Sequence, residues 1–528
     1  MTVEMTVPPL PITGRETIDP ITYANRWRAM IFIGISLLVV SLDNTILNVA
    51  LPSISRVLNA SAGELQWIVD SYVLVFAALL LTMGAFSDRI GRKRALAIGL
   101  ALFAVGSLFC ALSTTTAQLI LARGFTGIGG AMIFPSTLSI ISATFPADER
   151  PRAFGIWAAI FGLGVGIGPL IGGFLLRFFS WESVFYVNLP VAAIAIIGGA
   201  RFISESRDDQ APRPDVPGVL LSITGLVALV YGIITAGELG WTAPTVLLSF
   251  AVAAVLITAF GVWEARSPNA MLPMRFFRNP SFTVANLVLV LMTFSLFALG
   301  FFLSQYFQSV LGFDPLLAGA ASLPVAITLV IGGVNSSRIA ARFGTKLTIA
   351  AGSLLVSAAL AYYAVLLTPT TPYALIFIGQ VAFAAGISLM VSPATNSVMQ
   401  SIPVRKAGIG SAMNDTTRQL GGALGIAILG SVLNGVYRAS VASTVAALPE
   451  TVPEAAREAI LRSIQGAHVV ASQIPEAFAS VTQTILNAAN EGFVAGARQG
   501  MAVGAAVVFL AFVATVVFLP ATIQRTTE

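Results

Sequence analysis

Away from their ends, the apolar stretches long enough to cross a lipid bilayer hold five charged residues: Asp43, Asp70, Arg123, Asp415 and Arg418. An aspartate at the centre of a lipid-embedded helix costs about 2.5–3.5 kcal/mol on insertion scales, so such acids face a bundle interior and work on protons or ions. Asp43 lies in the stretch LDNTILNVALP, residues 42–52. At a rise of about 1.5 Å per residue it falls about 13 Å below the outer end of its run, and Arg123 about 9 Å below the outer end of its own. The two can share one level. Asp43 is therefore expected to carry protons with Arg123 tuning it; a fixed ion pair that sets helix register is the competing reading. Asp70 sits only about one turn inside its run, and a substrate-facing or proton-coupled role competes with a boundary position. Asp415 and Arg418 are three residues apart and can pair along one helix face, so a second coupling acid and a self-neutralised pair are both open.

The chemistry the chain lacks narrows its function. Its one histidine, His468, falls in an expected outer loop, so a proton relay inside the membrane must use carboxylates. Cys110 is the sole cysteine and forms no intramolecular disulfide. There is no H-E-x-x-H, no G-x-S-x-G and no Cys/His cluster, which leaves an integral membrane enzyme as a remote alternative, and no metal or cofactor is expected. No Gly-Lys dipeptide exists to start a P-loop, so a proton gradient is the expected energy source. A channel is disfavoured because the acids are scattered and form no ring.

The elements that position these residues follow from composition. Of 528 residues 56% are hydrophobic and 10% charged, and the mean hydropathy is +0.87; soluble domains carry about 25% charged residues. Each crossing needs about 20 apolar residues. Fourteen such runs lie near 29–51, 66–86, 95–113, 117–141, 153–176, 184–203, 216–236, 244–263, 281–303, 316–337, 346–367, 373–393, 407–435 and 498–519. The polar tail 1–28 precedes the first, and no small-residue cleavage site follows it, so a removable signal peptide is not expected. With the N-terminus inside, 21 of the 29 Lys and Arg fall in cytoplasmic segments, 6 in outer ones, and Arg123 and Arg418 within spans. That asymmetry puts both termini in the cytoplasm. The net charge of +5 thus reports topology, and no nucleic-acid partner is expected. Arginine outnumbers lysine 26 to 3, which hints at a GC-rich genome and a bacterial inner membrane.

Two stretches recur at offsets of about 250 residues. Pro135 and Pro393 each sit late in a span, followed by a short turn with a second proline (Pro146, Pro403) and a glycine-rich span; Gly84-x4-Arg89-x2-Arg92 answers Gly333-x4-Arg338-x3-Arg342. Internal duplication of this kind is common in transporters, with the substrate site between the halves. The expected organisation is an all-α membrane protein with a cytoplasmic tail 1–28, a six-helix half 29–203, a two-helix insert 216–263, a six-helix half 281–519 and a tail 520–528. Linkers 204–218 and 264–280 are charged or basic and contain proline. An outer loop at 436–495 is expected to form short amphipathic helices.

Between the second and third spans the chain reads Gly84-Ala85-Phe86-Ser87-Asp88-Arg89-Ile90-Gly91-Arg92-Lys93-Arg94. This G-x3-D-R-x-G-R-K-R string resembles the signature loop of the major facilitator superfamily. Leu119-x3-Arg123-x3-Gly127-x-Gly129-Gly130-Ala131 is similar to that family's arginine motif, and Gly164-x3-Gly168-Pro169-x2-Gly172-Gly173 to its antiporter motif. With LDNTILNVALP, Trp67-Ile68-Val69-Asp70-Ser71-Tyr72, Phe185-x2-Asn188-x-Pro190 and Asn414-Asp415-x2-Arg418-Gln419-Leu420-Gly421-Gly422, the chain resembles the 14-helix drug:proton antiporters. The resemblance implies a major facilitator fold and a monomeric transporter that exports lipophilic, often cationic compounds in exchange for protons. Proton coupling is expected at Asp43, Arg123, Asp70, Asp415 and Arg418, and gating at Gly84, Asp88, Arg89, Gly91, Arg92, Gly164, Gly168, Pro169, Gly172 and Gly173. Export of a specific metabolite, peptide or lipid-like molecule fits the same motifs, which report coupling and not cargo. Some of the 34 phenylalanines are expected to line a pocket where cation–π attraction helps.

Overall fold

The computed structural model describes residues 19–146, 149–207, 215–267, 274–401, 407–449, 452–475 and 478–520, almost all of them helical. The tails 1–18 and 521–528, parts of both expected linkers, and the turn with Pro403 lie outside the described residues. The helices are α1 (Pro20–Leu58), α2 (Ala62–Ile90), α3 (Arg92–Ala111), α4 (Thr116–Thr144), α5 (Arg150–Phe178), α6 (Ser183–Tyr186), α7 (Asn188–Phe202), α8 (Val216–Leu239) and α9 (Pro244–Arg266). They continue with α10 (Pro280–Gln305), α11 (Pro315–Ala321), α12 (Leu323–Phe343), α13 (Thr345–Leu366), α14 (Tyr373–Gln400), α15 (Ala407–Ala446), α16 (Glu454–Arg462), α17 (Ile464–Gln473) and α18 (Ala479–Phe518). Among the described residues thirteen helical stretches are long and apolar enough to cross a membrane; α5, with its apolar stretch Gly166–Phe178, makes the fourteenth.

Local sequence sets where these helices begin and end. Asp19 caps α1, accepting from the Thr22 amide at 3.0 Å, and Pro20 opens the helix where its missing N–H costs nothing. Ser61 and Glu64 form a reciprocal capping box on α2, so this helix starts at Ala62. α2 and α3 are separated by one residue, Gly91, at φ 110°, and α12 and α13 by one residue, Gly344, at φ 87°. Only glycine adopts these values without strain, so the two corresponding turns share one construction.

Chain order and most of the packing divide the helices into two groups, α1–α7 and α10–α18, which meet where α5 packs on α11 and α12 and where α2 packs on α15. The hairpin α8–α9 stands beside both: α8 packs on α2 and on α15, whereas α9 packs chiefly on α8 and exposes Leu247, Leu248, Val252 and Val255. Such an apolar face is at home in lipid. The hydrogen bonds and ion pairs that described residues make between the two groups lie at one end, called distal here, opposite the basic turns. There Ser304 donates to the Asn48 carbonyl (2.5 Å), Gln308 to the Val49 carbonyl (2.9 Å), and Arg177 lies 3.8 Å from Asp314.

The segment 436–495 differs from expectation. The two short helices expected there are α16 and α17, but nearly half of the segment continues its neighbours, since α15 runs to Ala446 and α18 starts at Ala479. Alanine-rich sequence favours helix regardless of where lipid ends, which is why a hydropathy boundary missed the helix boundary. α17 packs on α1 and α18 over the distal end. His468 on α17 is half-buried rather than exposed, 3.3 Å from Asn490 of α18.

Candidate functional site

Arg123 is the largest fully buried side chain among the described residues, and five helices converge on it and its partner. From α4, its Nη1 donates to Asp43 Oδ2 of α1 at 2.5 Å, and its Nε donates to the Ile68 carbonyl of α2 at 3.2 Å. Its guanidinium also lies over the Tyr72 ring, 4.4 Å from the centroid, where the ring's negative face attracts the cation. Asp43 Oδ1 accepts from Asn188 Nδ2 of α7 at 3.0 Å, and the same amide donates to Ser107 Oγ of α3 at 3.2 Å. Asp43 and Arg123 are 2% and 1% exposed. A buried pair is stable only when geometry is good and the remaining polar atoms are satisfied. The geometry is good here, and both Asp43 oxygens are met by donors. The depth estimate placed the two at one level, and the structure joins them.

Small residues make room for this convergence. Gly127 and Gly130 of α4 lie against α2, where an added Cβ at 127 would stand 2.7 Å from the Tyr72 carbonyl and one at 130 would stand 2.9 Å from Phe76. Gly129 faces α3 in the same way, against the Gly99 carbonyl at 2.7 Å. The glycines spaced through the arginine motif thus bring α4 close to both neighbours, which is what lets Arg123 reach α1 and α2 together.

Asp70 stands apart from that pair. Because the capping box begins α2 four residues before the apolar run, Asp70 lies over two turns inside the helix and is fully buried, a correction to its expected place near the edge. Neither of its carboxyl oxygens has a hydrogen-bond partner. It is one helical turn from Gln66, whose side chain meets Gly430 of α15, so Asp70 occupies the face of α2 turned toward the second group. Of the two readings left open for Asp415 and Arg418, the structure does not show the ion pair: Asp415 accepts from Asn414 Nδ2 at 3.4 Å. Three residues turn a helix through about 300°, leaving the two side chains about 60° apart and free to diverge. Their neighbours Asn414 and Thr417 instead brace α15 against Thr395 of α14 and Asn286 of α10.

The gating candidates fall into two places. At the basic turn, Asp88 accepts from Arg92 Nε at 2.6 Å, Gly91 closes the turn, Arg89 is exposed, and Gly84 lies against Pro135 of α4. The α3 N-terminus is capped by Glu205, which follows α7 and accepts from the Lys93 and Arg94 amides at 3.1 and 3.2 Å. In α5 the glycines divide by face. Gly164, Gly168 and Gly172 pack on Ser41, Thr45 and Ile46 of α1; Gly173 packs on Pro315 and Leu316, and the Pro169 carbonyl on Gly319 of α11. This motif therefore holds α1 on one side and the second group on the other.

Asn188, Tyr72, Ser107 and Glu205 were not singled out as site residues from sequence. Asn188 and Tyr72 did stand in motifs that carried the family resemblance, and a buried amide one turn from the start of a span was the available signal.

Comparison with known proteins agrees with this architecture. The family model described as Major Facilitator Superfamily matches residues 33–426. The methylenomycin A resistance protein of Streptomyces coelicolor is 38% identical over 75% of this chain and 83% of its own. The multidrug efflux pump LfrA of Mycolicibacterium smegmatis is 35% identical over 93% of this chain and 95% of its own. Among solved structures, a bacterial homologue of the human lysosomal transporter Spinster, inward-facing and unoccupied, superposes with a TM-score of 0.63 at 18% identity, covering 93% of this chain and 98% of that one. The chain belongs to the major facilitator superfamily and is one of its efflux transporters, not an enzyme.

Proposed function

We propose that this protein exports lipophilic, often cationic compounds across a cell membrane in exchange for protons, working as a monomer with its basic end in the cytoplasm. The observation that carries the reading is the buried Asp43–Arg123 pair, reached by five helices of one group. A proton arriving at Asp43 discharges the pair and frees the Arg123 guanidinium toward the Ile68 carbonyl and Tyr72 ring. Loss of that proton reforms it. Because α1, α2, α3, α4 and α7 all hold the pair, its state is felt by the whole group. Asp70, on the face toward α15, is the second acid we assign to proton exchange. Relatives named for drug and antibiotic resistance support the cargo class.

The sealed distal end and the basic end opposite it correspond to an inward-facing state in this reading. Outward opening separates Gly173 from Pro315 and Gln66 from Gly430. The drive is the proton gradient, to which the membrane potential adds about 2.3 kcal/mol per charge per 100 mV. The test is purified protein in sealed vesicles without ATP, given a pH gradient and a panel of dyes and quaternary cations. Dye accumulation that collapses with a protonophore supports the reading; transport that ignores the gradient overturns it. Relatives named for a single antibiotic favour a narrower cargo as the second reading, and the same panel separates the two.

A further inference from the structure

We propose that Asn188 is a positioning residue for Asp43, holding the carboxyl in place while its proton comes and goes. The inference rests on the proton-exchange reading of Asp43 and deepens it. Three features of the geometry carry it.

The first is which oxygen each donor uses. Arg123 takes Oδ2 at 2.5 Å and Asn188 takes Oδ1 at 3.0 Å, so the two oxygens of one carboxyl are divided between a charged donor and a neutral one. A bond between guanidinium and carboxylate depends on charge, and it is the one that a proton on Oδ2 removes. An amide N–H donates to the carbonyl oxygen of a neutral acid as well as to a carboxylate. The Asn188 bond therefore persists through both states, and it assigns the incoming proton to Oδ2, the side facing Arg123.

The second is that Asn188 is itself held. Its other N–H donates to Ser107 Oγ at 3.2 Å, and the residue is 2% exposed, so the amide has little freedom to follow Asp43 if the carboxyl turns. The third is its place in the chain. It is the first residue of α7, directly after Val187, which separates α6 from α7 within one membrane crossing. α7 packs on both α1 and α3, so a polar side chain at its first residue stands between the two and ties α1 to α3 across the site.

The full-length protein in lipid tests this by infrared spectroscopy, with the Asp43→Asn variant identifying the Asp43 carboxyl band. Asn188→Leu removes both donors while keeping the same branched heavy-atom skeleton. It is expected to move the protonated Asp43 C=O stretch to higher frequency, the mark of a lost hydrogen bond, and to lower the turnover of ethidium efflux at least about tenfold. Asn188→Ser keeps one short donor and should fall between wild type and Asn188→Leu on both measures; it also serves if the leucine variant does not fold. A folded Asn188→Leu or Asn188→Ser protein whose Asp43 band stays at the wild-type frequency overturns the proposal, whatever its yield. Absence of ethidium-linked proton flux in the wild type would instead sink the antiport reading, and the infrared comparison would still decide what Asn188 does to Asp43.

Discussion

Arg123 and Asp43 meet at 2.5 Å with both side chains excluded from solvent, so neither can lose the other without leaving a buried charge uncompensated. Removing one member of such a pair costs about 3–5 kcal/mol, whereas removing both can be nearly neutral. Arg123→Leu is therefore expected to lower the apparent melting temperature in detergent sharply. Asp43→Asn should lower it less, because the amide oxygen still accepts from the guanidinium. The double variant should recover much of the loss, a coupling that thermal unfolding of all four proteins measures. Additive losses would show that the pair is not the unit it is taken to be. In transport, Asp43→Asn is expected to reduce gradient-driven efflux to the background of empty vesicles.

Gly173 and Gly319 show how closely the two groups approach at the distal end. A Cβ added at 173 would lie 2.7 Å from the Leu316 Cα, and one at 319 would overlap the Pro169 carbonyl. Both obstacles are backbone, which cannot rotate away. Gly173→Val should therefore wedge α5 from α11 and favour an outward-open arrangement. Labelling of a cysteine placed at Asn48 by a membrane-impermeant thiol reagent should accelerate severalfold in that variant. Equal labelling rates would show that the contact at Gly173 does not limit opening.

The readable parts of the sequence were those with local or periodic causes. Apolar run length revealed the crossings, the recurring prolines and Gly-x4-Arg spacing pointed to the repeat, and Asp43 and Arg123 were each conspicuous as charges in apolar surroundings. Rise per residue was then enough to place them at one level, because two straight helices in one bundle share a common axis direction. What stayed hidden depended on rotation and on long-range closure. Asp415 and Arg418 could not be told as paired or separate, because spacing reports adjacency but not the direction each side chain takes. Asp70 looked peripheral because hydropathy begins at the apolar run, whereas the helix begins at its cap. Asn188 and Glu205 are polar residues whose partners lie 145 and more than 110 positions away, and no local pattern announces such contacts.

Gln66 and Gly430 offer a direct way to hold the distal end shut. A Cβ at 430 would lie 3.2 Å from Gln66 Cγ, which brings the two Cβ atoms near the spacing of about 3.5–4.5 Å that a disulfide needs. In a Cys110→Ala background, Gln66→Cys with Gly430→Cys should cross-link on mild oxidation and stop dye efflux, and reduction should restore it. Each single variant should be insensitive to oxidant. A cross-linked protein that continues to turn over would mean that α2 and α15 need not separate at this level, and the route out would have to open elsewhere.

His468 gives the distal surface its own pH dependence. It faces Asn490 of α18 and lies in the field of Arg56 at the end of α1. Burial lowers its affinity for a proton below the ordinary value of about 6.5, the Arg56 charge lowers it further, and the Asn490 contact partly offsets both. The unfolded segment thus binds more protons than the folded one between the two values. The stability that neutral His468 contributes is fully present above about pH 6.5 and is lost as pH falls through the lower folded value. Amide hydrogen exchange over residues 454–495 should accelerate on acidification from about pH 7.5 to about pH 5.5, after correction for the intrinsic exchange rate. His468→Gln keeps a polar partner for Asn490 and cannot be charged, so its exchange should be flat over the same range. Equal acceleration in both proteins would place the pH response on some other group. If the basic end is cytoplasmic, as proposed, the side that titrates His468 is the side from which protons enter, and acid there would loosen α17 where drug must leave.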